Sequence, residues 1–223
     1  MQQLVIGQSQ FAIPFARIYQ EYQTNRRSPS VERLVMLDQE LRRLLPPGGP
    51  FASADDLRAG YEEIGLEPTL FEPDTVIYSG KLLAEAHKRD PSSPFRRYTL
   101  YATVSPEFNG LPSPSAGRQY LKEFPEGPFA ADTNGALADF LNDLFKVIKR
   151  LVEGAPDAKD YKYDCYSEFL SKAPLAEQMS GVQRSGLYYY RRVLALQPDS
   201  PNVREAMRNL ERGVNGGWYY CPD

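Results

Sequence analysis

Two stretches of the chain share one pattern: SGKLLAEAHKRDPSSPFRRY at residues 79–98 and GLYYYRRVLALQPDSPNVRE at residues 186–205. Each contains a small residue, a large residue, a second smaller residue and a proline, separated by three, two and four residues. These positions are Ser79, Leu83, Ala86 and Pro91 in the first stretch and Gly186, Tyr190, Val193 and Pro198 in the second. A further proline follows in each, Pro94 or Pro201, and predicts that another helix begins there.

The pattern predicts a structural joint between two packed helices. The small residue lets a partner helix approach, and the large residue fills the groove beside it. The first proline ends the helix because it cannot continue the hydrogen-bond ladder. The second proline then occupies the first helical position, with Ser93 or Ser200 before it as the N-cap.

This spacing resembles the second helix and closing turn of a tetratricopeptide repeat (TPR). Tyr101 and Arg208 stand where that family has a close-packing glycine after the joint. The resemblance implies an all-α fold of stacked antiparallel helix hairpins, a TPR-like α-α array carrying a long irregular insertion rich in proline and glycine. We therefore predict a single helical domain over residues 1–223, with helical hairpins at 28–104, the irregular segment at 105–135, a C-terminal helical part at 136–213 and an aromatic tail at 214–223.

Apolar residues at intervals of three and four predict the individual helices. They span residues 29–45, 53–64, 74–89, 94–103, 136–154, 175–196 and 201–212. Ser28 and Pro29 are expected to begin the first of these, and Ser53 to begin a capping box whose helix ends at Gly65.

Residues 105–135 follow no helical period, because proline and glycine interrupt every apolar pattern. At most a short helix is expected there, around 118–123. Long irregular segments in compact domains are often functional. The segment is predicted either to pack on the helices as a structural wrap or to act as a binding loop.

The composition favours a soluble globular protein and disfavours several partners. The 223 residues carry a net charge of −3, and the arginine pairs are separated by acids, so no nucleic-acid surface is predicted. No apolar run is long enough to span a membrane. The N-terminus lacks the pattern of a signal peptide, so the protein is expected in the cytoplasm if Met1 is the true start, and outside it if a signal was removed.

The two cysteines, Cys165 and Cys221, leave two alternatives open. They could pair in a disulfide that ties the C-terminal tail to the body, or remain small buried thiols in a reduced protein. Two cysteines and one histidine do not supply the four Cys or His ligands that a zinc site usually has, so no metal and no other cofactor is predicted.

His87, the single histidine, has Asp90, Ser92 and Ser93 within six residues. A catalytic triad needs its carboxylate and its nucleophile at opposite nitrogens of the imidazole. Groups in the same turn are poorly placed for that, so we interpret His87 as part of the helix joint. The GxSxG, HExxH, GxxxxGK(S/T) and GxGxxG motifs are also absent, so no catalytic residue is predicted.

These observations favour a non-catalytic helical scaffold that binds a protein or peptide partner in a groove between helices. The candidate surface comprises Arg96, Arg97, Tyr101, Tyr188 and Arg191. Tyr190 is expected in the core, with Tyr188 or Tyr189 facing the groove. Two alternatives are a small-ligand binder or enzyme with its site under residues 105–135, and a structural subunit of a larger assembly.

Overall fold

The computed structural model describes residues 2–27, 30–45, 51–69, 74–104, 111–154, 166 and 168–214, with side chains from residue 10 onward. The chain divides into two compact units, Met1–Thr103 and Val104–Asp223. The described part is 69% helical and contains eight α-helices and one small sheet. An all-α fold was predicted; the described part is mostly helical, but it also contains a sheet that was not predicted. Whether both units form one domain stays a prediction.

The first unit combines helices with a three-stranded antiparallel sheet. Its helices are α1 Gln2–Asn25, α2 Val31–Leu44, α3 Lys81–Arg89 and α4 Arg96–Thr99, with 3₁₀ helices at Ala54–Asp56, Tyr61–Ile64 and Leu100–Thr103. The strands are β1 Ala52–Ser53, β2 Leu66–Pro68 and β3 Thr75–Tyr78, in the order β1-β3-β2. The register pairs Ala52 with Val76, and Leu66 with Tyr78.

Apolar faces of these elements form the core of the first unit. Fully buried side chains include Phe15, Ile18, Leu34, Leu41, Ile64, Leu66, Leu82 and Leu83. The ring of Phe15 meets that of Tyr61 edge-on, with centroids 6.2 Å apart. Burial of large apolar side chains is the main source of stability for such a unit.

The predicted helix at 74–89 is wrong in its first half. Residues 75–78 are Thr-Val-Ile-Tyr, whose β-branched and aromatic side chains favour the strand β3. Gly80 then adopts a left-handed φ of 81° at the N-cap of α3. Ser79 therefore lies between a strand and a helix, where its hydroxyl donates to the carbonyl of Gly65 at 3.2 Å. It is not the helix-packing position that the repeated pattern implied.

Two other predictions in the first unit need correction. Residues 53–64 form β1 and two short 3₁₀ helices instead of one α-helix, because Gly60 takes a left-handed φ of 94° between them. The capping box is present, with Asp56 accepting from the backbone N–H of Ser53 at 3.1 Å. The N-cap of α2 is Ser30, and the predicted Ser28 and Pro29 lie outside the described residues.

The first joint departs from the predicted helix-to-helix connection. Helix α3 ends at Arg89 as expected, and Pro91 follows its C-cap. Helix α4 begins only at Arg96 and is four residues long, so Pro94 does not occupy its first position. Ser93 is buried and does not cap the helix. Leu83 and Ala86 are buried in α3, as the pattern predicts.

The second unit is helical in its described residues. It contains α5 Pro114–Glu123, α6 Ala130–Glu153, α7 Leu175–Leu196 and α8 Pro201–Glu211. The Tyr190 hydroxyl on α7 donates to Asp139 on α6 at 2.8 Å, and buried residues of the two helices share a core. Near the end of α6, Lys149 donates to the carbonyl of Gly213 at 2.6 Å.

Residues 111–135, the described part of the segment 105–135, are more regular than predicted. Helix α5 starts four residues before the expected 118, because Ser113 accepts a capping bond from the N–H of Ala116 at 3.3 Å and Pro114 occupies the first turn. Helix α6 also starts earlier, at Ala130 instead of 136. The irregular part of the described segment thus consists of residues 111–113 and 124–129.

The second joint matches the prediction closely. Helix α7 spans the predicted residues, Gly186, Tyr190 and Val193 are its buried positions, and Pro201 opens α8. Pro198 follows the C-cap of α7. The exception is the hydroxyl of Ser200, which donates to the carbonyl of Gln197 at 3.0 Å and does not cap α8.

Candidate functional site

A cleft of about 270 Å³ opens on the second unit between α5, α6 and α7. We call it the Arg118 cleft. Its floor is apolar and consists of Leu137, Phe140, Leu141, Leu144 and Phe169. Its rim carries the polar groups and consists of Pro114, Ser115, Arg118 and Tyr189.

The floor follows from the apolar stripe of α6. Leu137, Phe140, Leu141 and Leu144 recur at intervals of three and four, which places them on one face of the helix. The ring of Phe169 meets that of Phe140 edge-on, with centroids 4.7 Å apart. Such aromatic pairs stabilise the packing beyond the area that they bury.

Helix α5 approaches this stripe through a glycine. A Cβ added at Gly117 would lie 3.0 Å from Cδ2 of Leu137, so the Leu137 side chain packs directly against the backbone of α5 at this glycine. The close approach sets α5 beside the floor. It also brings Arg118, the next residue, to the rim of the cleft.

A buried tyrosine fixes the other end of α5. Tyr120 is fully buried, and its hydroxyl accepts from the backbone N–H of Phe129 at 3.1 Å. Its ring also packs at 5.7 Å from that of Phe124. These contacts tie α5 to the start of α6, so the rim belongs to a packed part of the unit.

The rim offers positive charge and hydrogen-bond donors. Arg118 is exposed, and no acidic side chain among the described residues pairs with it. Burial raises the pKa of Tyr189, although nearby Arg118 acts in the opposite direction. The phenol is therefore protonated near neutral pH and can donate. Ser115 adds a hydroxyl, 3.1 Å from that of Ser113.

The polar side chains that line the cleft are those of Ser115, Arg118 and Tyr189. Within the described part of the chain, no carboxylate, imidazole or thiol lines the cleft. An apolar floor with a few polar groups at its edge is the usual composition of a binding pocket.

The five predicted surface residues fall into different units. Arg96, Arg97 and Tyr101 belong to the first unit, where the guanidinium of Arg97 lies 5.1 Å from the Tyr98 ring. Arg96 donates to the carbonyl of Pro91 at 2.6 Å. The guanidinium of Arg42 lies 5.7 Å from the Tyr101 ring, so all three residues have local partners within their own unit.

Tyr188 and Arg191 lie on α7 in the second unit. Tyr188 is 57% exposed, and its ring contacts that of Tyr189 edge-on at 5.2 Å. Arg191 lies 3.5 Å from the carboxylate of Glu211. Tyr189, one of the two tyrosines expected to face a groove, lines the cleft, whereas Tyr190 is buried as predicted. Arg118 was missed.

A buried polar network in the first unit is a second place where ionisable groups converge. Tyr78 donates to one oxygen of Asp38 at 2.8 Å, and Arg42 donates to the other at 2.9 Å. Burial raises the pKa of Asp38, against the influence of Arg42. Burial likewise raises the pKa of Tyr78. Because both carboxylate oxygens are bonded within the unit, we interpret the network as structural.

His87 is partly buried in the first joint. Burial lowers its pKa, and Arg96 lowers it further. Among the described residues, neither its Nδ1 nor the buried hydroxyl of Ser93 has a hydrogen-bond partner. Asp90 instead accepts from the hydroxyl of Ser92 at 3.0 Å. The acid, imidazole and hydroxyl are therefore not linked in a relay.

Some sequence predictions are not tested by the described residues. Cys165, Cys221 and the tail from residue 215 lie outside them, so both alternatives for the cysteines stay open. Within the described ranges, no helix has the length and apolar character to cross a membrane. No group of three His, Cys, Asp or Glu side chains in those ranges could hold a metal ion.

Comparison with protein-family models, with curated proteins and with solved structures found no significant match. The resemblance to a tetratricopeptide repeat therefore stays a prediction.

Proposed function

We propose that the protein is a non-catalytic helical scaffold whose second unit binds a segment of a partner protein in the Arg118 cleft. The observation that carries this proposal is the cleft itself, an apolar floor with a positively charged rim. The floor provides an anchor site for an apolar side chain, and the rim provides donors for the polar groups beside it.

The volume of the cleft favours one anchor side chain over a whole small ligand. Pockets that enclose drug-sized ligands measure about 300–1,000 Å³. The cleft, at about 270 Å³, falls just below this range. An extended or helical segment can place one large apolar residue in such a space while the rest of it lies outside.

We further propose that the second unit packs in the manner of TPR-like hairpins. Gly186 supports this, because an added Cβ would lie 2.8 Å from Cδ2 of Leu210 on α8 and 3.5 Å from Cβ of Leu141 on α6. Both neighbours of α7 thus approach it at one small residue. The joint at Pro198 and Pro201 then turns the chain into the next antiparallel helix.

A small-ligand binder is the second candidate, and one observation favours it. Helix α5, which belongs to the segment 105–135, forms one wall of the cleft. A small apolar carboxylate would satisfy the same floor and rim. The absence of a base from the described lining makes binding the better supported role for this alternative too.

The proposal is tested by blocking the cleft. Ser115 is an exposed rim residue, so Ser115→Trp covers the cleft without disturbing the core. Lys122→Trp, on the exposed last turn of the same helix and outside the lining, is the matched control. A random peptide library displayed on phage is selected on the full chain. Peptides should be enriched on the unmodified protein and on the control but not on Ser115→Trp. Equal enrichment on all three would contradict the proposal.

A further inference from the structure

The charge of the cleft rim specifies the chemistry of the partner. Building on the proposed function, we infer that the bound segment carries an Asp or Glu side chain directly beside its apolar anchor, and that Arg118 binds this carboxylate. The apolar anchor occupies the floor between α5, α6 and α7 while the acid meets the rim.

The first argument is that Arg118 is a cation without a described acidic partner. Some of the other described arginines have one: Arg17 lies 2.5 Å from Glu40, and Arg89 lies 2.9 Å from Glu85. On α7, Arg191 lies 3.5 Å from Glu211. Arg118 contrasts with these arginines, because its described surroundings are apolar side chains and the phenol of Tyr189.

The second argument is that every polar side chain at the rim can donate. The Arg118 guanidinium has five N–H donors and no acceptor. The hydroxyls of Tyr189 and Ser115 can add further donors from α7 and α5. No carboxylate of the described residues stands at the rim to accept from a basic group. This arrangement is complementary to an anion and repels a Lys or Arg side chain.

The third argument concerns geometry. A guanidinium binds a carboxylate through two parallel N–H···O bonds, and both planes must align for this. Gly117 holds α5 against Leu137, so the backbone that carries Arg118 is fixed beside the floor. When a partner inserts an apolar side chain into the floor, the residue next to that side chain therefore lies beside the guanidinium of Arg118.

The test uses peptides recovered by the library selection, resynthesised with an acetylated N-terminus and an amidated C-terminus. Any remaining carboxylate then belongs to an Asp or Glu side chain. Affinities are measured by fluorescence anisotropy for the full chain, for Arg118→Gln and for Lys122→Gln. The last variant removes one positive charge from the same helix outside the cleft.

We expect Asp or Glu to be enriched next to the apolar anchor. Replacing that acid by its amide, or Arg118 by Gln, should weaken binding about fivefold, and combining the two should add little. Lys122→Gln should leave affinity unchanged. Arg118→Glu should prefer a peptide in which the acid is replaced by Lys, a reversal that a merely structural role would not produce.

The failures of the two proposals are distinguishable. One outcome is that peptides bind the unmodified chain but not Ser115→Trp, while neither the acid-to-amide change nor Arg118→Gln alters their affinity. The inference about the acid is then overturned, and the binding function stands. If affinity disappears on amidating the C-terminus, the carboxylate comes from a chain end, which also overturns it. If Ser115→Trp binds every peptide as well as the unmodified chain, the proposed function itself fails.

Discussion

The packing at Gly186 can be tested by comparison with a second glycine on the same helix. Both Gly186 and Gly181 lie inside α7. Replacing a helix-interior glycine by alanine ordinarily stabilises a protein by about 0.5–1 kcal/mol, because alanine loses less backbone entropy on folding. At Gly181 an added Cβ meets no atom within 4 Å, so Gly181→Ala should show this gain in full.

At Gly186 the same methyl group meets a packed neighbour. The added Cβ lies 2.8 Å from Cδ2 of Leu210, which is only 1% exposed. The optimal separation of two carbon atoms is about 3.5–4.0 Å, so Leu210 or α8 must shift. Overpacking of this kind costs about 1–3 kcal/mol. It offsets the helical gain, and Gly186→Ala should lower the free energy of unfolding by about 0–2.5 kcal/mol.

The measurement is urea unfolding followed by circular dichroism for both alanine variants. Because they share a helix, their difference of about 1–3 kcal/mol reports the contact at Gly186 and not helix propensity. In a Leu210→Ala background the clash is removed, so Gly186→Ala should stabilise the protein about as much as Gly181→Ala does. Equal stabilisation by the two single variants would refute the close approach of α8 to α7.

Three further predictions follow from individual side chains. Burial raises the pKa of Tyr78, so above about pH 10 the unfolded chain loses this phenolic proton while the folded chain keeps it. The free energy of unfolding should therefore fall by about 1.4 kcal/mol per pH unit through this residue. Tyr78→Phe should reduce the slope of the free energy of unfolding against pH in this range. The ring signals of His87, followed by NMR, should titrate below pH 6.5, and the pKa should rise in Arg96→Gln. The free energy of unfolding should fall as the pH drops through this range, because the unfolded chain takes up the proton first. Ser113→Ala should cost about 1 kcal/mol in urea unfolding through loss of the α5 cap, whereas Ser115→Ala, which caps nothing, should cost little.

Local sequence signals were sufficient to predict a helix and its bounds where the apolar residues have a helical period and a proline follows the last turn. Residues 175–196 have both, since Pro198 follows the last turn, and their bounds were predicted correctly. Residues 74–89 failed because apolar residues at helical spacing also fit a short strand followed by a helix. The Thr-Val-Ile-Tyr run at 75–78 was the signal for the strand, together with the glycine after it.

The cleft was harder to predict because it depends on contacts between distant residues. Ser113 and Pro114 carried a helix-start signal within a segment otherwise dominated by proline and glycine. Glycines in this segment were interpreted as interruptions of the helical period, yet Gly117 is a packing position against Leu137. Tyr189 could be placed near a groove from its helical angle to Tyr190. Nothing local to Arg118 indicates that its neighbours would be an apolar floor and a phenol.

Gly117 influences the width of the cleft without contributing a side chain to its lining. Gly117 does not line the cleft, yet the spacing between α5 and Leu137 depends on its lack of a side chain. An alanine there would force either α5 outward or Leu137, a floor residue, to turn, since the added Cβ would stand 3.0 Å from it. Affinity for a partner can therefore be tuned at position 117 with every contacting residue unchanged. In a protein engineered to accept larger or smaller anchors, this position is the first one to vary.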